Sequence, residues 1–358
     1  MLISILNRLA AKTMLLIFIA ASSFNNSVAA ARAESHATIL LYHHVSSQTP
    51  PSTSIATAQF KTHLEYLHDN HVVLPLTQII EALKNDKALP DKAVAITFDD
   101  GYRNILDNGH PLLQALNMPY TIFISPTLIG KQAGQLTWDE VKSMATQGVT
   151  FANHTSYHDH LLARQEDESQ TQWLKRVVQD IEFAETQLEQ QLGYSLKYLA
   201  YPYGEYNLML KNELEKNGFT GFGQQSGGVS SYSDFGALPR FPAAGVYANL
   251  NSLKTKMASL AMPVTSPPIE PLRQIDEQPT ITLTLDSSQV KPARINCFYN
   301  NQPLELQRSQ SAFSFTIPEP LKAGRTRVNC TAPSGQKGRF HWFSQAFVIP
   351  TADGVFLD

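Results

Sequence analysis

Short apolar runs alternate with longer amphipathic segments from residue 38 to residue 261. The runs at 38–42, 94–98, 120–124, 149–152, 197–201 and 219–222 have the length and composition of buried strands. Between them, apolar residues recur at helical spacing. Phe60, Leu64 and Leu67 share one face of a predicted helix over 58–70, and 76–84, 138–147 and 173–192 read the same way. Gly148 and Gly193 stand where two of these helices should stop. Strand–helix alternation over this length predicts an α/β domain built on a parallel sheet, open or closed into a barrel.

The pattern then changes. Residues 261–280 carry Pro263, Pro267, Pro268, Pro271 and Pro279, which suits a stiff, extended linker and is hard to fit inside a helix or a central strand. After it, "TITLTL" (280–285), "INCFY" (295–299), "FSFTI" (313–317) and "RTRVNC" (325–330) are β-rich and separated by turn residues. They predict a small all-β sandwich of immunoglobulin-like kind.

The N-terminus adds a targeting expectation. Arg8 and Lys12 precede an apolar stretch, 14–21, followed by small residues at 29–33, the layout of a secretory signal peptide. The apolar stretch is too short to span a bilayer comfortably. The expected organisation is therefore a signal peptide at 1–33, an α/β domain at 34–262, a proline-rich linker at 263–279 and a β-sandwich at 280–358. Export to the periplasm or outside the cell favours a disulfide between the only two cysteines, Cys297 and Cys330, and their places on two strands suggest a bridge across the sheets. A net charge of −3 gives no basis for general attraction to nucleic acid or anionic lipid.

Candidate chemistry sits at strand ends. "ITFDDGY" (96–102) ends a β-rich run in two adjacent carboxylates, Asp99 and Asp100, at the position where parallel α/β sheets present residues to ligands. Alone, Asp-Asp-Gly is often only a turn. "NHTSYHDHL" (153–161) also follows a predicted strand. Its His154 and His158 are four apart, a spacing that on a helical turn puts both rings on one side. One carboxylate and two imidazoles make a three-donor metal set with open positions. The other carboxylate could then take a proton from a water acidified by the metal.

"TFDDG", "HTSYH" and "YPYG", in that order, resemble the NodB-homology polysaccharide deacetylases, the fourth carbohydrate esterase family, over about residues 39–245. The resemblance implies a distorted (β/α) barrel and removal of acetyl groups, usually from N-acetylated sugars in polymers. It implies Asp99 as the base and Asp100, His154 and His158 as metal ligands. It also implies that the backbone amide of Tyr203, in "AYPYGEYN" (200–207), helps to hold the oxyanion. Two departures stand out. Many relatives carry a base-orienting arginine where this chain has Ala200, and Arg240 in "LPRFP" is the candidate replacement. The late strand ending in a catalytic histidine is absent too. In this respect the chain resembles exported deacetylases of biofilm poly-β-1,6-N-acetylglucosamine, which have a "YH" strand near the mature N-terminus. "ILLYHHV" (39–45) is such a strand, which makes His43 the expected general acid and His44 structural.

Zinc is the default divalent metal for these nitrogen and oxygen donors, with cobalt, nickel, manganese and iron as alternatives. The expected partner is an acetylated polysaccharide. The C-terminal module is a candidate for cell-envelope or export-machinery contact, and the oligomeric state is left open. Two rival readings are O-deacetylation, as of acetylxylan, and a non-catalytic carbohydrate-binding or matrix-assembly protein.

Overall fold

The structure, a computed structural model, describes residues 35–357. The signal-peptide reading falls outside these residues. Among the described residues no helix is long and apolar enough to cross a membrane.

The central sheet runs, in order, Gly228–Val229, Ala37–Tyr42, Ala93–Phe98, Tyr120–Ile124, Thr150–Asn153, Tyr198–Ala200 and Thr220–Phe222, parallel except for the antiparallel pairing of Gly228–Val229 with Ala37–Tyr42. Both faces are buried, so the strands read as nearly continuous apolar runs. One face packs Leu40, Tyr42, Ile96 and Phe98 against Phe60, Leu64 and Leu67 of helix Thr57–Asn70. The other gathers Ala37, Ile39, Ala93, Ala95, Phe123, Ala152, Ala200 and Phe222 in one cluster. Residues from strands so far apart in the sheet meet only if it curls, and this is the concave face. Its many alanines let the curl be tight.

The two edges of the curl are bridged by a short stretch. Leu238 pairs in parallel with Phe222, and Phe241–Pro242 pairs in parallel with Leu40 and Leu41. Arg240 lies between these contacts. The helices Leu76–Lys84, Trp138–Thr146 and Gln170–Leu192 occupy the segments with helical spacing. Gln170–Leu192 starts at a Ser169 capping box and ends at Gly193 with φ 79°, a left-handed position where glycine carries no side-chain penalty. Three further helices, His110–Ala115, Leu208–Lys216 and Leu250–Met257, have no counterpart in the sequence reading; all are short, and the last two start at an asparagine cap.

The C-terminal strands form a five-stranded and a three-stranded sheet. A common core includes Ile281, Leu283, Phe313, Phe315, Val328 and Phe347. Leu260–Ala261 pairs in parallel with His341 and Trp342, so one of these sheets begins before the prolines. The proline-rich stretch runs against the last strand, Phe340–Ile349: Leu272 bridges Val348, and the Val348 amide donates to the Pro271 carbonyl. Arg339 reaches Asp91 of the α/β part at 2.6 Å, and Trp342 packs edge-on against Phe241 at 5.3 Å.

The disulfide joins Cys297 and Cys330. It does not cross between the sheets as expected. The two residues are directly opposed on the antiparallel neighbours Asn296–Tyr299 and Gly324–Pro333, within one sheet. Opposed residues on paired strands bring their Cβ atoms within reach of a bridge, which spacing along the chain does not reveal. The bond closes a loop with a sequence separation of 33. Replacing both cysteines with serine is expected to cost about 3–4 kcal/mol by loop-closure entropy. Urea unfolding with and without reductant checks this: the serine variant should match the reduced parent.

Candidate active site

Strand register brings the acidic pair and His43 together. Tyr42 is paired with Phe98, and their rings lie 5.5 Å apart on the outer face. Side chains alternate along a strand, so the next residues, His43 and Asp99, turn to the concave side at the same level. The Asp99 amide donates to the Tyr42 carbonyl at 3.0 Å and keeps the two chains level past the strand ends. The chain then turns with Asp100 at φ 73° and Gly101 at φ 70°. A Cβ on Gly101 would lie 2.7 Å from a methyl of Ile124, so conformation and space both call for glycine.

Asp99 is wholly buried, and so is Arg240. The guanidinium grips the carboxylate with both forks, Nη1 to Oδ1 and Nη2 to Oδ2 at 2.7 Å each, while Nε donates to the Gly223 carbonyl at 2.9 Å. Arg240 also lies over the Phe123 ring at 5.3 Å. Burial pushes the Asp99 pKa up, but the Arg240 charge and then His154 outweigh it, so the group is held below the ordinary carboxylate range. Arg240 thus reaches Asp99 from a different strand end than Ala200 would have.

Asp100, His154 and His158 converge, with donor atoms all within 4.8 Å of one another. His154 Nε2 is 3.2 Å and His158 Nε2 3.3 Å from Asp100 Oδ1. Yet Asp100 Oδ1 and His154 Nε2 are buried without a hydrogen bond of acceptable geometry. The other nitrogen explains the orientation. His154 Nδ1 lies 2.7 Å from the Ala200 carbonyl, which can only accept, so Nδ1 carries a proton and Nε2 is turned inward towards Asp100. Burial, then the neighbouring His154, pushes the His158 pKa down to about 4, which keeps that ring neutral and able to ligate. Burial opposes the Asp100 carboxylate, but His154 and His43 hold its pKa below the usual range. Orphaned buried donor atoms and a two-nitrogen, one-oxygen set fit a divalent cation.

The i, i+4 argument for the histidines needs correcting. Residues 154–160 are not helical. Thr155 at φ 66° and His158 at φ 61° fold an irregular loop, pinned by the Thr155 amide to Asn153 Oδ1 and the His158 amide to Thr155 Oγ1. The rings meet through this loop.

His43 is half-buried and lines a groove of about 690 Å³ together with Asp100, His158 and Tyr203. His44 faces away: it stacks on Tyr102 at 3.6 Å, takes a hydrogen bond from Asn104 Nδ2 at 2.9 Å, and is pushed down to about 4, mainly by burial. Tyr203 has φ 58°, and its ring meets His158 edge-on at 4.7 Å. His160 stacks on the Tyr203 ring at 4.2 Å and bonds the buried Glu205 at 2.8 Å. Glu205, His160 and Arg325 were not among the expected site residues. Glu205 lies inside "YPYGEYN", but Arg325 is 120 positions further on, and nothing in the sequence links them.

Residues 86–222 match the family model described as polysaccharide deacetylase. A Bacillus subtilis relative named after the same family is 31% identical over 174 residues, 47% of this chain and 57% of the relative. An Escherichia coli K12 relative named poly-beta-1,6-N-acetyl-D-glucosamine N-deacetylase is 25% identical over 240 residues, 56% of this chain and 34% of the relative. The chain therefore spans less than two thirds of either relative's length. The solved structure of the Streptococcus pyogenes deacetylase PplD in complex with acetate shares the fold, with a TM-score of 0.56 at 22% identity over 63% of this chain and 99% of that one.

Proposed function

We propose that this chain, whose residues 86–222 match the polysaccharide deacetylase family model, is an exported, metal-dependent N-deacetylase of a polymer containing N-acetylglucosamine. The observation that carries the reading is the juxtaposition of a three-donor set, Asp100, His154 and His158, with a buried carboxylate, Asp99, clamped by Arg240. The named substrate of the Escherichia coli relative supports poly-β-1,6-N-acetylglucosamine as the first polymer to test.

A divalent cation held by Asp100, His154 and His158, zinc by default, would acidify water and polarise the acetyl carbonyl. Asp99 accepts a proton from the attacking water. Arg240 keeps that carboxylate ionised and fixed in orientation without taking part in bond making. The water oxygen adds to the carbonyl carbon, and the backbone amide of Tyr203 donates to the carbonyl oxygen as it gains charge. His43 delivers a proton to the sugar nitrogen as the carbon–nitrogen bond breaks. The immediate products are acetic acid and a glucosamine unit, with Asp99 left protonated and His43 deprotonated; the acid then loses its proton as acetate, and exchange with solvent resets both side chains, so atoms and charge balance.

The test is a panel of metal-loaded protein on N-acetylglucosamine oligomers of β-1,6 and β-1,4 linkage, peptidoglycan and acetylxylan, read as released acetate, with metal content measured in parallel. Release from β-1,6 oligomers is expected. His154→Ala should lose on dialysis the metal that the parent retains, and its activity with it. Release from acetylxylan alone would make the protein an O-acetyl esterase. No release from any of them by a parent that takes up no metal when metal is supplied would favour a binding module.

A further inference from the structure

The C-terminal β-module forms part of the wall of the site's groove, and Arg325 is the residue of it that reaches the Tyr203 ring. Arg325, at the start of strand Gly324–Pro333, lines the groove that holds His43, Asp100, His158 and Tyr203. Its Nη1 donates to Glu205 Oε1 at 2.7 Å and to the Leu357 carbonyl at 2.6 Å. Its guanidinium lies 5.2 Å from the Tyr203 ring centre. Glu205 is almost fully buried, and its other oxygen is 2.8 Å from His160 Nδ1. His160 in turn stacks on Tyr203. A single buried carboxylate thus ties an arginine from the module and a histidine from the metal-ligand loop to the same tyrosine ring.

That tyrosine sits in a demanding backbone position. Tyr203 at φ 58° and Gly204 at φ 73° make two consecutive left-handed residues, and only glycine adopts such angles freely. A tyrosine held there needs its surroundings to over-determine it. His160 and Arg325, both anchored by Glu205, supply that constraint. A charge-assisted hydrogen bond to a buried carboxylate is short and directional, and a guanidinium against an aromatic ring adds attraction.

We propose that Arg325 is a positioning residue for deacetylation: through Glu205 and His160 it locks the Tyr203 turn so that the turn's backbone amide meets the developing oxyanion. The C-terminal module is then a working part of the site. The inference rests on the deacetylase reading, and acetate release by the parent chain tests that reading separately.

The experiment compares the full-length, metal-loaded parent with Arg325→Ala, Arg325→Lys and Glu205→Gln on N-acetylglucosamine oligomers. Arg325→Ala should lose about 10- to 100-fold in kcat, the effect of a misplaced donor, with KM within about twofold and the metal retained. Methylguanidinium should restore part of the kcat. Arg325→Lys, which keeps the charge but not the planar stack, should fall between. Should Arg325→Ala fail to fold, Glu205→Gln carries the same kcat prediction. A parent-like kcat would overturn the proposal. So would a raised KM at unchanged kcat, which would make Arg325 a substrate contact. A loss that follows a lowered melting temperature and ignores methylguanidinium would also overturn it, assigning Arg325 to stability alone.

Discussion

Arg240→Met is expected to destabilise the protein by about 3–5 kcal/mol at neutral pH, because it leaves a buried carboxylate without its partner. Arg240 and Asp99 are both fully buried and joined by two 2.7 Å bonds. The sign with pH follows from the direction of the shift. Burial raises the Asp99 pKa, and Arg240 more than reverses this, so the folded-state value lies below the unfolded one. The stabilisation is therefore present above the unfolded carboxylate pKa of about 3.9 and is lost as pH falls through the lower folded value. In Arg240→Met burial acts unopposed by the guanidinium, and Asp99 takes up its proton at a higher pH. The acid limb of kcat/KM should then move upward, while activity at high pH recovers part of the parent level. Arg240→Lys should lie between, since an ammonium keeps the charge but cannot grip both oxygens. Urea midpoints and pH–rate profiles of the three proteins check this. An unmoved acid limb would separate Arg240 from the base and leave it a packing residue.

What the sequence disclosed, and what it hid, divides along the reach of local signals. Strands 120–124 and 94–98 were legible because buried parallel strands are apolar throughout. Helix 170–192 was legible because its apolar stripe repeats over several turns. Asp99, Asp100, His154 and His158 stood out as titratable groups ending apolar runs. The reason offered for the histidine pair was nevertheless wrong: their spacing fits a helix, but left-handed Thr155 and His158 build a loop. Backbone angles at non-glycine residues leave little trace in the sequence. The disulfide shows a second kind of limit. Export pointed to the pairing, but the placement of the bond depends on which strands are neighbours, and that is set by the register of Cys297 with Cys330. Arg240 could be nominated from a missing arginine, yet its burial and its fork on Asp99 follow from the way 238–242 bridges the sheet edges. Glu205 with Arg325 lies beyond any local pattern.

His43→Ala is expected to lower kcat on N-acetylglucosamine oligomers by about 10²–10⁴-fold, the usual worth of a general acid or base. The placement follows from the strand: with Tyr42 level with Phe98, His43 stands level with Asp99 and lines the groove beside Asp100 and His158. An amine leaves poorly unless protonated, so an acid on this side of the carbonyl is needed in the breakdown step. The same reasoning gives a sharper expectation than a loss of activity. A phenolic acetate, such as 4-nitrophenyl acetate, has a leaving group stable as an anion and needs little help from an acid. The loss caused by His43→Ala should therefore shrink to within about tenfold on the phenolic ester, while Asp99→Asn should suffer on both substrates because the attacking water is common to them. If His43→Ala falls equally on amide and ester, the histidine is acting before bond breaking, as part of the site's electrostatics. If it falls on neither, the proton comes from elsewhere, and the strand end at residue 43 serves only to hold the wall of the groove.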